Sequence, residues 1–302
     1  MSLACCTVVS DPKTNWFPLY EWLLSVKNIA DEIFIVIADK NSTIFDMHVA
    51  ILAENFSSKE AGETLNIIDQ FINEYPEVEG MINYIIVPWS EKLGKWERAG
   101  MKNLAIKYVT SDWILFSDVD ELLDNHNIEM IRKISGCEIT ELETSVSEKN
   151  NLKFISDDVL AIRFGAIHYY RDLNHVVKYN AGWFESKLLM FRNNRMIHFG
   201  TLGDDIDSVV NWDGKDIPPE KIINAGRLLT FHHVGHARPT NIYLRKKNEL
   251  EIEFHPSYSS TPWKNKDSWE WNMSITDEIP NNWHYPEWVK LYREELQKEL
   301  GT

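Results

Sequence analysis

The chain has 302 residues, 44% of them hydrophobic, enough for one large domain or two small ones around a sizeable core. Lys and Arg number 31 against 46 Asp and Glu, a net charge of −15, so the average surface repels polyanions and anionic membranes, and nonspecific nucleic-acid binding is not expected. No run approaches the ~18–20 uncharged apolar residues of a membrane span, and Met1 to Ser10 lacks the positive start of a secretory signal, so a soluble, cytoplasmic protein is expected.

Ala4 to Ser10 reads as a strand that buries Cys5 and Cys6; with Cys137 they offer neither a disulfide framework nor a Cys-x-x-Cys zinc spacing. A turn at Asp11-Pro12 leads to a helix from Phe17 to Lys27 with Leu19, Trp22, Leu23 and Val26 on one face. The strand Ile33 to Ala38 follows, then a mostly helical pattern from Ile44 to Tyr75 that Pro76 ends. Tyr84 to Val87 is a third strand, Pro88-Trp89-Ser90 opens a loop, and Lys95 to Val109 is a helix. Thr110-Ser111-Asp112 turns into the apolar strand Trp113 to Ser117, which ends in Asp118-Val119-Asp120-Glu121. This alternation predicts an α/β fold with a Rossmann-like, mostly parallel central sheet flanked by helices. Ligands of such sheets sit outside the carboxyl ends of the strands, where Asp39 and Asp118 to Asp120 fall.

The polar stretch Gly136 to Asn151 is expected as a surface loop or hairpin, which divides the chain into a ligand-binding half (1–135), a second half (136–250) and a Trp- and Pro-rich tail (251–302). Strands are expected over Val159–Tyr170, Trp183–Phe191, Ile197–Phe199 and Leu228–Val234. A charged helix is expected over Asn241–Glu253 and a terminal one over Pro286–Leu300. The tail tryptophans Trp263, Trp269, Trp271, Trp283 and Trp288 follow no helical or strand period, so some are expected at the surface, where flat rings stack on sugar C–H faces. Any single one, taken alone, reads first as a core residue.

Two carboxylates at i and i+2, with a third acid next, close a core strand either as a solvated turn or as a cation site. Carboxylate oxygens are what Mg²⁺ and Mn²⁺ accept, usually one or two of them with water and phosphate oxygens completing the shell. Phe231-His232-His233-Val234-Gly235-His236-Ala237-Arg238 gathers three of the ten histidines within five positions. Alternation on a strand puts His232 and Val234 on one face and His233 and Gly235 on the other, so at least one histidine is structural.

The order Lys102-Asn103, helix, polar turn, apolar strand, Asp118-Val119-Asp120 resembles the nucleotide-sugar domain of family 2 type glycosyltransferases of the GT-A fold, with lysine where the family usually has arginine. Lysine keeps the charge and loses the planar fork. The resemblance extends upstream to the second strand, ending in Asp39 and Ser42. It implies that Asp39 contacts the base, with Ser42, Lys102, Asn103, Asp118 and Arg238 completing the nucleotide site. Asp120 would bind the metal directly, and Asp118 the ribose or the metal through water. His233-Val234-Gly235, followed by Arg238, resembles the segment that completes the metal shell; His232 and His236 rank behind His233. Gly203-Asp204-Asp205 resembles a Gly-Glu-Asp segment whose second acid is the general base, so Asp205 comes first and Glu185 second. If configuration is retained, neither is needed.

The function implied is a glycosyltransferase dependent on Mn²⁺ or Mg²⁺ that moves a sugar from a nucleoside diphosphate, UDP favoured, to a saccharide or other hydroxyl acceptor. Three rivals stand beside it. A nucleotidyltransferase acting on sugar phosphates would want a Gly-rich loop after the first strand, and Thr7-Val8-Val9-Ser10-Asp11-Pro12 has no glycine. A two-metal hydrolase leaves Lys102-Asn103 without a role. A non-catalytic carbohydrate-binding protein of the same fold leaves Asp118 and Asp120 unexplained.

Overall fold

The computed structural model describes residues 1–9, 17–39, 59–88, 95–135, 141–143, 152–154, 158–178, 186–194, 197–200, 209–211, 216–225, 228–239, 241–243, 276–279 and 286–300. In chain order the first half runs β1 (Leu3–Val9), α1 (Leu19–Val26), β2 (Glu32–Asp39), α2 (Lys59–Glu74), β3 (Ile82–Pro88), α3 (Lys95–Tyr108), β4 (Trp113–Phe116), β5 (Glu121–Leu123) and α4 (Asn125–Ser135). The second half continues with β6 (Glu141–Glu143), β7 (Leu152–Phe154), β8 (Ala161–Tyr170), β9 (Asp172–Val177), β10 (Ser186–Arg192), β11 (Ile197–Phe199), β12 (Val209–Asn211), β13 (Ile222–Asn224), β14 (Thr230–His236), β15 (Thr276–Glu278) and α5 (Glu287–Leu300).

Strands buried on both faces need apolar residues at every position rather than at alternate ones, and β1, β2 and β4 meet that demand. Leu3, Cys5, Ile33, Ile35, Trp113 and Leu115 face one way, against Leu19, Trp22 and Leu23 of α1, Ile68 and Phe71 of α2 and Val289 and Tyr292 of α5. Ala4, Cys6, Phe34, Val36, Ile114 and Phe116 face the other, against Met101 and Ala105 of α3. The two adjacent cysteines thus fill opposite layers, each buried.

The main sheet has the order β15-β9-β8-β10-β4-β1-β2-β3, with β13 and β14 also on β8 and β5 on β14. β1 pairs in parallel with β2 and β4, and β2 with β3, so the expected parallel, helix-flanked α/β sheet is present. Antiparallel β10 joins this block to the second half. The chain moves from β1 outward through β2 and β3, then returns to place β4 on the other side of β1. Doubly wound sheets bind ligands at such a reversal, which here falls beyond the carboxyl ends of β1 and β4.

The segment 136–151 contains one arm of a hairpin, β6 paired with β7. β5, α4, β9, β12, β13 and β15 were not anticipated. Ile128, Ile131 and Ile134 carried a helical signal for α4, and the last two are fully buried; β5 is three residues long and opens on an acid. Of the tail tryptophans, Trp288 takes the core role, because it is buried and its Nε1 donates to Leu123 O at 2.6 Å. Trp183, Trp212 and the other late tryptophans lie outside the described residues.

Where α5 packs on α1, Glu21 is 4% exposed. Burial first, then the Glu295 carboxylate, pushes its carboxyl up to about 7, against a weaker opposing backbone hydrogen bond; Glu295 is itself raised by burial against the pull of Lys298. A raised carboxylate holds its proton more tightly folded than unfolded, so its contribution is complete below about pH 4.5 and is lost as pH climbs through about 7. The loss amounts to about 3 kcal/mol. Glu21→Gln should therefore flatten the fall in stability between pH 5 and pH 8 by that amount, as measured by urea unfolding. An unchanged pH profile would acquit Glu21.

Candidate active site

The acidic segment after β4 is a turn held from several sides. Glu121 N donates to Asp118 O at 2.9 Å, and Asp118 N donates to Glu121 Oε2 at 2.8 Å. Trp22 Nε1 donates to Ser117 Oγ at 2.8 Å, and Ser117 N to Cys6 O at 3.2 Å, which ties the turn to α1 and β1. From the second half, Val234 N donates to Asp120 O at 2.9 Å. Backbone bonds thus fix where the two carboxylates point before any ligand arrives.

Asp118 sits between two lysines. Lys102 Nζ from α3 lies 3.0 Å from Oδ1, and Lys187 Nζ from β10 lies 2.7 Å from Oδ2. Burial works against ionising Asp118, but the two ammonium groups override it and hold its carboxyl well below the usual carboxylate range. Lys187 also donates to both Glu121 oxygens at 2.9 Å; even so, burial raises the Glu121 carboxyl above its ordinary value. Lys102 is 4% exposed and lies over the rings of Phe116 and Phe199 at 5.5 and 5.2 Å.

Asp120, 6% exposed, faces Arg238 and His233. Arg238 Nη2 donates to Asp120 Oδ2 at 2.5 Å, and the guanidinium lies 4.9 Å from the Phe17 ring centroid. His233 Nε2 is 4.0 Å from Asp120 Oδ1. Burial, against the pull of Asp120 and with help from His168, Lys187 and Arg238, lowers His233 to about 3. The ring is neutral at physiological pH, the state in which imidazole ligates metals.

The two adjacent histidines of β14 do different work. His232, on the opposite face, bonds Tyr169 Oη through Nδ1 at 2.9 Å and Asp124 Oδ2 through Nε2 at 3.1 Å, and is 1% exposed. Both its nitrogens join β8 to the start of α4. His236 packs edge-on against His233 and Tyr243, with ring centroids 5.1 and 5.8 Å away. His233→Ala should weaken Mn²⁺ binding, whereas His232→Ala should lower the unfolding temperature and leave Mn²⁺ affinity near wild type. Calorimetric titration beside thermal melts separates the two, and equal small losses of affinity would make the cluster structural.

Asp39 is fully buried at the carboxyl end of β2. Asn103 exchanges hydrogen bonds with the Phe199 backbone, Nδ2 to O at 2.9 Å and N to Oδ1 at 2.7 Å, and so ties α3 to β11. Ser42, Glu185, Asp204 and Asp205 lie outside the described residues. Lys187 and His168 were not anticipated at the site. Both reach it through strand pairing between distant segments, which leaves no local periodic signal.

Among the described residues no three His, Cys, Asp or Glu side chains converge on one point that would hold a metal ion. Two donor groups nevertheless face each other across Gly235. A Cβ on Gly235 would lie 2.6 Å from Asp120 Oδ2 and 2.7 Å from His233 Nε2, so glycine leaves a space walled by a carboxylate oxygen and an imidazole nitrogen. Oxygen plus imidazole donors are ones that Mg²⁺ or Mn²⁺ accepts.

No protein family and no curated protein matches the chain by sequence. Among solved structures it is similar to S. aureus TarS residues 1–349, with 12% identity over 88% of this chain and 74% of that one, at a TM-score of 0.33. The mannosyltransferase PcManGT from Pyrobaculum calidifontis, solved with GDP-Man and Mn²⁺, shares 12% identity over 83% of this chain and 61% of its own, at 0.37. The inositol-1-phosphate CTP transferase from T. maritima shares 11% identity over 83% and 96%, at 0.31. Likenesses this distant carry no argument about activity. Among the described residues no helix is long and apolar enough to cross a membrane.

Proposed function

We propose that the chain is a glycosyltransferase that moves a sugar from a nucleoside diphosphate, UDP first among the candidates, to a saccharide or other hydroxyl acceptor, with Mn²⁺ or Mg²⁺ held by Asp120 and His233. The observation that carries it is the Asp118–Asp120 turn beyond the carboxyl end of β4, closed by His233, Gly235 and Arg238 from β14 and the residues just after it.

A chain of net charge −15 needs local positive charge to hold a diphosphate, and Lys102, Lys187 and Arg238 gather it around the two aspartates. When bound, the cation supplies Lewis-acid stabilisation of charge developing on the departing diphosphate. Asp118, with an ammonium group on each oxygen, suits the ribose or a water on the metal better than direct ligation. Asp39 and Ser42 take the base, and Asn103 holds α3 and β11 in place beside Lys102. Asp205 removes the acceptor hydroxyl's proton as that oxygen attacks the anomeric carbon, with inversion; Asp204 flanks it, and Glu185 is the second candidate for the base. His236 shapes the wall beside His233. The nucleotidyltransferase alternative lacks its Gly-rich loop after β1.

A thermal-shift panel of UDP, GDP, CMP and ADP, each with and without Mn²⁺, tests this reading. A ligand that binds only the folded chain adds RT ln(1 + [L]/Kd), about 2.7 kcal/mol at a hundred times Kd. One nucleoside diphosphate should stand out and need Mn²⁺ to do so. A shift with CMP alone would favour nucleotidyl transfer, and no shift with any nucleotide would defeat both readings.

A further inference from the structure

We propose that His168 is a positioning residue that fixes the ring tautomer of His233 and so turns His233 Nε2 into a cation ligand; the inference rests on the cation site proposed above. β8 and β14 run parallel with His168 directly opposite His233. The two Nδ1 atoms are 2.9 Å apart, with the rings nearly perpendicular at 85°. His168 is 5% exposed, so water does not compete freely for that contact.

Two ring nitrogens at this distance share a single proton, since two N–H groups would collide and two lone pairs would repel. Either His168 donates to His233, which leaves the single N–H of a neutral His233 on Nε2 and bars ligation, or His233 donates to His168. The second arrangement puts the His233 Nε2 lone pair on the side of Asp120 Oδ1, 4.0 Å away, and of the space left by Gly235. A ligating imidazole ordinarily donates its other N–H to an acceptor that fixes the ring and raises its basicity. His168 is that acceptor here. The neighbouring residue Tyr169 braces His232 on the opposite face, so consecutive residues of one strand support both histidines. Only the His168 side leads to Asp120.

The test titrates Mn²⁺ alone into the full chain, following free Mn²⁺ by electron paramagnetic resonance, and reads ring tautomers by nitrogen-15 NMR. His168→Phe, which removes the acceptor and keeps a ring, should weaken Mn²⁺ binding about 10–100-fold. His168→Asn, whose amide oxygen can stand in for Nδ1, should recover most of that loss. In the wild type, NMR should show His233 protonated at Nδ1, a signature that a merely structural contact does not require and one that decides the matter even if His168→Phe fails to fold. His233 protonated at Nε2, or wild-type Mn²⁺ affinity in a folded His168→Phe, would overturn the proposal. If His233→Ala weakens Mn²⁺ binding and His168→Phe does not, the role of His168 falls and the cation site stands; if neither weakens it, the cation site falls as well.

Discussion

Asp120→Asn should weaken Mn²⁺ binding, and with it Mn²⁺-dependent UDP binding, at least about 100-fold, since losing an anionic ligand should cost no less than losing a ligand's supporting partner. Asparagine keeps the size of the side chain and one oxygen for Arg238, so the fold should survive. Alanine at the same position is a different experiment. It takes the paired carboxylate from Arg238, a guanidinium 1% exposed, and breaking a buried pair from one side costs about 3–5 kcal/mol. Calorimetry with Mn²⁺ and UDP should therefore show both variants failing to bind, and urea unfolding should show the alanine variant destabilised more than the asparagine variant, which still offers Arg238 an oxygen. Wild-type affinity in the asparagine variant would remove Asp120 from the metal site.

The second large effect concerns turnover rather than binding. If Asp205 takes the acceptor's proton, Asp205→Asn keeps the shape of the side chain, removes its basicity and should lower kcat by about 10²–10⁴ with little change in donor affinity. Donor binding survives because the proposed role exists only in the transition state. Glu185→Gln should then be mild; a dead Glu185→Gln beside an active Asp205→Asn would exchange the two assignments. Normal turnover in both would exclude the inverting scheme, and a product anomer matching the donor's configuration would show retention.

Much of the ligand-binding half was legible because its information is local. β1, β2 and β4 are apolar at nearly every position, α1 repeats its apolar residues at helical spacing, and acids follow β2 and β4 where a doubly wound sheet presents its ligand edge. The alternation of β14 also separated His232 from His233 correctly, since side chains of a strand face opposite ways whatever the strand pairs with.

Pairing itself was not legible. Lys187 lies 69 residues from Asp118 and His168 lies 65 from His233, and nothing in either local pattern states which strands become neighbours or in what register. Trp288 shows the same limit from the other side: it shares the apolar face of α5 with Val289, Tyr292 and Leu296, but only the tertiary structure sets that face on the end of β5. The sequence by itself determined the α/β class and the acidic and basic residue types at the carboxyl edge of the sheet, because backbone periodicity and charge are properties of short segments. Only the tertiary structure decided which lysines neutralise Asp118, which histidine meets Asp120 and what supports that histidine, because each depends on hydrogen-bonded register between strands far apart in the chain.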